Sequence, residues 1–144
     1  MAETSTDQFD VVILGGGSGG YAAALRGAQL GQKIALVEKD QLGGTCLHRG
    51  CVPTKALLHV GELADAPSEA AAAGVDLSLN GIDAAKVLEF KDKIIGRLHK
   101  GLQGRVKSRK VEYVEGFGTL TGPNTISVET GSGTRTLTGK NIIL

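Results

Sequence analysis

The stretch FDVVILGGGSGGYAAALRGAQLGQKIALVE, Phe9 to Glu38, decides the fold. Its first six residues, FDVVIL, are a short apolar run closed by a glycine cluster, the pattern of a strand buried on both faces. Gly15 to Gly20 reads as a turn. Tyr21 to Leu30 is rich in Ala and Leu, with Tyr21, Ala24, Leu25 and Ala28 at helical spacing, and Gly31 supplies the stop. KIALVE, Lys33 to Glu38, is a second buried strand. Strand, helix and strand within about thirty residues predict a βαβ unit with a right-handed crossover.

Inside that unit Gly15, Gly17 and Gly20 fit G-x-G-x-x-G, directly after a strand and opening a helix. The first glycine permits the tight turn, the second lets a pyrophosphate approach the backbone, and the third lets helix and strand pack closely. The helix N-terminus favours the phosphate charge. Glu38 ends the second strand, where a carboxylate can accept hydrogen bonds from ribose hydroxyls. A flexible glycine turn with Glu38 at an exposed strand end is the blander alternative. The motif by itself does not separate FAD from NAD.

Working outward, Met1 to Asp10 is polar and slightly acidic, without the basic start and apolar stretch of a signal peptide. No later apolar run is long enough to span a bilayer, so a cytoplasmic location is expected. The net charge of +1 gives no reason to expect nucleic acid or an acidic membrane surface. Past the second strand, Asp40 to Gly50 is punctuated by glycine and Val52 to Ala64 reads as a helix. Residues 66–73 read as a helical or loose connector. Ile82 to Arg109 is a long amphipathic helix with Leu88, Ile95, Leu98, Leu102 and Val106 on one face. From Val111 the texture becomes a small β-meander: Val111 to Phe117, Thr125 to Glu129 and Thr134 to Thr138, with turns at Gly122-Pro123-Asn124 and Gly131-Ser132-Gly133. The closing NIIL is expected to begin another buried strand.

Gly43 to Lys55 reads GGTCLHRGCVPTK and contains both cysteines of the chain, Cys46 and Cys51. In a regular helix five positions rise about 7.5 Å, whereas a disulfide wants Cα atoms within about 7 Å. A bridge therefore requires the helix to be distorted between them. Gly50 is permissive, and Pro53 disfavours helical dihedrals at Val52 while itself tolerating a first-turn position. A loop this small should be reducible. Spacing alone leaves two unlinked buried thiols equally open. His48, His59 and His99 form no metal-ligand spacing with the cysteines, so no metal site is expected.

The GGTC…GC-P-x-K string, shortly after a βαβ dinucleotide fold, resembles the signature of the pyridine nucleotide–disulfide oxidoreductases. These flavoproteins include glutathione, mercuric and mycothione reductases and dihydrolipoamide dehydrogenase. Cys46-Leu47 and Lys55 to His59 (KALLH) are most similar to the dihydrolipoamide dehydrogenase branch, whereas His48-Arg49 departs from the commoner Asn-Val or Asn-Arg pair. The resemblance runs from Asp10 to the end and implies an α/β, Rossmann-like FAD-binding domain. It also implies that residues 1–144 are the N-terminal part of that domain, without the NAD, central and interface domains that follow in the family.

The resemblance further implies that Cys46 and Cys51 form the redox disulfide, with Cys46 as the reachable interchange thiol and Cys51 as the shielded one paired with the flavin. Lys55 matches a lysine near the flavin N5. Glu38, Lys39, Gly43, Gly44, Thr45 and Cys46 match the segment lining ribose, pyrophosphate and flavin, and Gly118 matches a backbone contact to adenine. The implied reaction is oxidation of protein-bound dihydrolipoamide with NAD as acceptor. The implied partners are the lipoyl domain and acyltransferase core of 2-oxo acid dehydrogenase complexes, and the implied assembly is a homodimer. An NADPH-dependent disulfide, mercuric or mycothione reductase, and a stand-alone FAD-binding redox module without turnover, are the competing expectations.

Overall fold

The computed structural model describes residues 6–144. In chain order its elements are β1 (Thr6–Leu14), α1 (Ser18–Gln29), β2 (Ile34–Glu38), α2 (Gly44–His48) and α3 (Cys51–Ala72). There follow α4 (Ala84–Ser108), β3 (Glu112–Glu115), β4 (Phe117–Gly122), β5 (Thr125–Thr130) and β6 (Gly133–Ile143). The chain divides into two compact units. One comprises the described residues up to Gly44 together with His99–Leu144, and the other is Thr45–Leu98.

The first unit is built on a sheet of order β3-β2-β1-β6-β5-β4. β1 pairs parallel with β2 (Val11 opposite Ile34), as the βαβ reading requires, and β3, expected in the meander, pairs parallel with β2 instead. On the other side of β1 lies β6. Residues 133–143 form one continuous strand, not a meander strand followed by a new one. Residues 133–138 of β6 pair antiparallel with β5 and residues 136–143 parallel with β1, with Val12 opposite Ile142. NIIL therefore has β1 as its neighbour. Gly139 does not interrupt the strand because it is buried against Val12, where a Cβ would come within 3.0 Å of the valine methyl. The expected strand Val111–Phe117 is instead split at Gly116 into β3 and β4. A Cβ there would collide with the carbonyl of Glu129.

Side chains alternate between two cores, the period-two rule of a strand covered on both sides. Val12, Ala35 and Val37 face Val114, Ile126, Val128 and Leu137 on the meander side. Ile13, Ile34 and Leu36 face Ala24, Leu42, Val106 and Val111 on the helical side. Of the face expected to be buried on α4, only Leu102 and Val106 pack into this core, while Leu88 and Leu98 are exposed. A helix of 25 residues is far longer than the core edge that its last turns cover.

α4 ends where Lys110 takes a left-handed conformation, φ 56°. Val111 N–H donates to Val106 O and Lys110 N–H to Lys107 O, and the buried Val106 and Val111 sit in one cluster. This is the hydrogen-bond and apolar pattern of a glycine-type helix stop, carried here by a lysine. In the second unit, α3 continues through the expected connector to Ala72 and includes Pro67. Val52 lies within α3, as the helix expected from Val52 onward requires, and Pro53 sits in the first turn, where its missing N–H has no intrahelical acceptor anyway.

At the start of β2, Asp10 accepts hydrogen bonds from Lys140 Nζ at 2.7 Å and from Lys33 N–H at 2.8 Å. The Lys140 hydrogen bond, and then that of the Lys33 backbone, hold the Asp10 carboxyl below its ordinary pKa. The contribution is thus present above the unfolded carboxylate pKa and is lost as pH falls through the lowered folded value. Lys140→Met should return Asp10 toward the usual range in a side-chain NMR titration; an unmoved Asp10 would show that Lys140 is not the cause. Replacing Lys110 by glycine should stabilise the fold by up to about 1 kcal/mol, since it relieves the left-handed penalty. The midpoint of urea unfolding measures it.

Candidate dinucleotide site and redox cysteines

The glycine turn joins the C-terminal end of β1 to α1, the end at which parallel α/β sheets hold nucleotides. Gly15 has φ 112°, open to glycine alone, and its N–H donates to Val37 O at 2.8 Å. A Cβ on Gly20 would collide with the Gly15 carbonyl, so the third glycine is required by the protein's own packing. Gly17 differs, since a Cβ there would meet nothing within 4 Å. Its bareness therefore leaves space beside the helix N-terminus. The N-cap of α1 is Gly17 itself, with no side-chain cap and no acidic residue in the first turn. An anion is the natural partner for such N–H groups.

Glu38 points back into this turn. Its Oε2 accepts the Gly16 N–H at 2.7 Å and its Oε1 accepts the Asp40 N–H at 2.8 Å. Gly43, buried at φ 113°, donates its N–H to the Gly16 carbonyl at 2.8 Å. Gly44, φ 61°, lies so close that a Cβ would come within 2.8 Å of Gly17 Cα. The glycine pair preceding the cysteine segment is thereby fixed to the glycine turn.

Beside Glu38 opens a cleft of about 250 Å³ lined by Leu14, Gly15, Val37, Glu38, Lys39 and Gly116 to Gly118. Lys39 Nζ stands 5.6 Å from the centre of the exposed Phe117 ring. A Cβ on Gly118 would collide with Leu14 and come within 3.1 Å of a Val37 methyl. The cleft thus brings together Gly15, Glu38, Lys39 and Gly118 from three places in the sequence. Tyr113 lies close by on β3. Burial, then Glu115, Glu38 and Asp40, raise its phenol pKa and keep it neutral.

In the second unit Cys46 and Cys51 are bonded as a disulfide, with Cα atoms 4.7 Å apart. The helix is broken between them, as the spacing demands: α2 ends at His48 and α3 begins at Cys51. Gly50 is the N-cap of α3, and a Cβ there would come within 3.1 Å of the Thr45 carbonyl and 3.4 Å of Cys46 Cα. Its bareness lets the two segments approach. Cys51 occupies the first turn of a 22-residue helix, and Lys55 lies one turn further along the same face, exposed. Thr45 is exposed at the start of α2. Cys46 is half-buried and Cys51 exposed, the reverse of the accessibility expected from their roles. Sequence reasoning had missed Gly16, whose N–H and carbonyl are both engaged. Being a glycine among glycines, it carried no signal of its own.

Residues 9–144 match the family model described as pyridine nucleotide-disulphide oxidoreductase. The chain is 44% identical to the mitochondrial dihydrolipoyl dehydrogenase of Dictyostelium discoideum, over 97% of this chain and 29% of that protein. It is 45% identical to the dihydrolipoyl dehydrogenase of Bacillus subtilis, over 88% of this chain and 28% of that protein. The chain thus spans less than a third of the length of these relatives. Its fold is similar to that of the flavoprotein disulfide reductase RclA of Escherichia coli, with a TM-score of 0.77 and 23% identity over 95% of this chain and 28% of that one.

The two glycines should respond differently to one added methyl group. Gly20→Ala should destabilise the fold by about 3 kcal/mol, the scale of overpacking against a structure that cannot yield. Gly17→Ala should leave the unfolding midpoint unchanged. Equal midpoints for the two variants would contradict the packing described.

Proposed function

The chain belongs to the pyridine nucleotide-disulphide oxidoreductase family, and on that premise we propose that it serves a dihydrolipoyl dehydrogenase, passing two electrons from a protein-bound dithiol to NAD. The observation that carries the reading is the Cys46–Cys51 disulfide across a helix break, two residues after a glycine pair fastened to a dinucleotide turn. Glycines with open space at Gly17, an uncapped helix N-terminus and the cleft beside Glu38 fit FAD, with the adenosine end toward Glu38, Lys39 and Gly118. The cleft suits one nucleoside rather than a whole dinucleotide. Lys55 is included on resemblance alone. When bound, FAD supplies a two-electron relay between the dithiol and the nicotinamide.

The cysteine chemistry can be derived from the polypeptide. A substrate thiolate attacks Cys46 Sγ and forms a mixed disulfide, and the Cys46–Cys51 bond breaks with Cys51 leaving as thiolate. The second substrate thiol, deprotonated, displaces Cys46. The product is a substrate disulfide, and the protein holds two reduced cysteines. Two factors compete over which sulfur is attacked. Accessibility favours Cys51, the more exposed. Leaving-group stability favours attack on Cys46, because Cys51 sits at the positive end of a 22-residue helix. The five-residue α2 gives Cys46 far less of that field. Exchange rates follow the leaving thiol's pKa, so we assign interchange to Cys46 and the stabilised thiolate to Cys51.

The same reading includes partnership with lipoyl domains and the acyltransferase core of 2-oxo acid dehydrogenase complexes, a homodimeric assembly and a cytoplasmic location. Its support is the similarity to dihydrolipoyl dehydrogenases and, for location, the N-terminal composition alone.

The purified wild-type protein should carry FAD, and Gly17→Val should lose it while remaining folded. Flavin absorbance and circular dichroism report the two separately, and full flavin content in Gly17→Val would refute the site. Alkylation rate against pH, mapped by peptide mass, should give Cys51 in Cys46→Ser a thiol pKa below the ordinary value of about 8.5. Cys46 in Cys51→Ser should titrate higher. The opposite order would reverse the two roles.

A further inference from the structure

An acidic residue at the end of the second strand of a dinucleotide fold is ordinarily explained by the ribose. The contacts of Glu38 point to a further task. Its carboxylate lies at the turn assigned above to a pyrophosphate, where an uncommitted negative charge would repel the ligand. Both of its oxygens are committed to backbone N–H donors: Gly16 at 2.7 Å, 22 residues away, and Asp40 at 2.8 Å. The Gly16 peptide is held from its other side too, since its carbonyl accepts the Gly43 N–H at 2.8 Å. Gly44 then rests on Gly17. A run of glycines is the backbone with the most conformational freedom to lose, and within it the Gly16 peptide is held on one side by a carboxylate and on the other by a peptide hydrogen bond. The clamp is made entirely of protein groups.

We propose that Glu38 is a positioning residue, which sets the shape of the Gly15–Gly20 turn, and through Gly16 the start of the cysteine segment at Gly43, before any nucleotide binds. Its contribution to affinity then comes from preorganisation and is separable from hydrogen bonds to the ribose. Each carboxylate oxygen retains a lone pair for a hydroxyl, so the two tasks are compatible. The proposal rests on the reading of this turn as the nucleotide site.

The test compares wild type, Glu38→Ala and Glu38→Gln in two measurements. The first is hydrogen–deuterium exchange of the peptide spanning the glycine turn in FAD-free protein, with the β5–β6 peptide as the control for folding. The second is binding of FAD and of an FAD analogue whose adenosine ribose lacks both hydroxyls. We expect exchange at the turn to quicken at least tenfold in Glu38→Ala while β5–β6 is unchanged. Both ligands should weaken by a similar factor, about ten- to a hundredfold. Glu38→Gln should recover part of both effects, because its amide oxygen can still accept the Gly16 N–H. Unaltered exchange at the turn, with weakening confined to FAD, would overturn the proposal and leave Glu38 a ribose ligand only. If Glu38→Ala fails to fold, Glu38→Gln carries the same comparison against wild type. Failure of the wild-type protein to bind FAD would refute the nucleotide reading, whereas exchange at the turn decides the clamp by itself.

Discussion

The structure depends on a close approach of backbone to backbone that no side chain could share. At the end of β1 the Gly20 Cα faces the Gly15 carbonyl, and Gly44 Cα rests against Gly17. These contacts set where α1 begins relative to the sheet and where the chain enters the segment leading to Cys46. The glycines there are of two physical kinds. Gly20 and Gly44 are bare because protein atoms fill the place of a Cβ, whereas Gly17 is bare beside open space. The first kind maintains the fold, and the second has meaning only if something else arrives.

The cysteine segment solves a geometric conflict. Five residues of regular helix hold two Cα atoms too far apart for a disulfide, yet a helix N-terminus beside one sulfur is chemically useful. Ending one helix at His48 and starting another at Cys51 meets both needs. The arrangement also makes the cysteines electrostatically unequal before any substrate or flavin is considered. Cys51 is also the more exposed, so its accessibility and its quality as a leaving group favour attack at opposite ends of the bond.

The βαβ unit was legible because FDVVIL and KIALVE are apolar on both faces and the intervening Ala-rich run has helical period. Glu38, Lys39 and Gly118 were legible as a list of residues, but not as one cleft, because their meeting depends on β4 folding across the ends of β1 and β2. The β6 error came from Gly139. A glycine that ends a strand and one that is buried within it read alike until the packing of Val12 is known. On α4 the pattern showed an amphipathic helix without showing that only Leu102 and Val106 reach the sheet. At Lys110 nothing in the residue type announces a left-handed backbone, since lysine takes it only where the surrounding structure imposes it. The backbone partners of Glu38 were invisible for the same reason, as N–H groups leave no mark in a sequence.

β6 belongs to two arrangements at once, antiparallel to β5 over residues 133–138 and parallel to β1 over residues 136–143. This has a consequence for how the protein is made. β1 finds β2 soon after synthesis, since Val11 and Ile34 are near in the chain. Its other edge must wait for a partner far away, with Thr6 opposite Thr136. At ordinary rates of translation the ribosome needs roughly 5–20 s to pass from the end of β2 to the start of β6. For that interval the nascent chain presents FDVVIL with one row of peptide groups unpaired, the kind of edge that recruits other strands. Among the six described strands of this sheet, β6 is thus the last in the chain, and the time in which β1 is open to misassociation is set by topology.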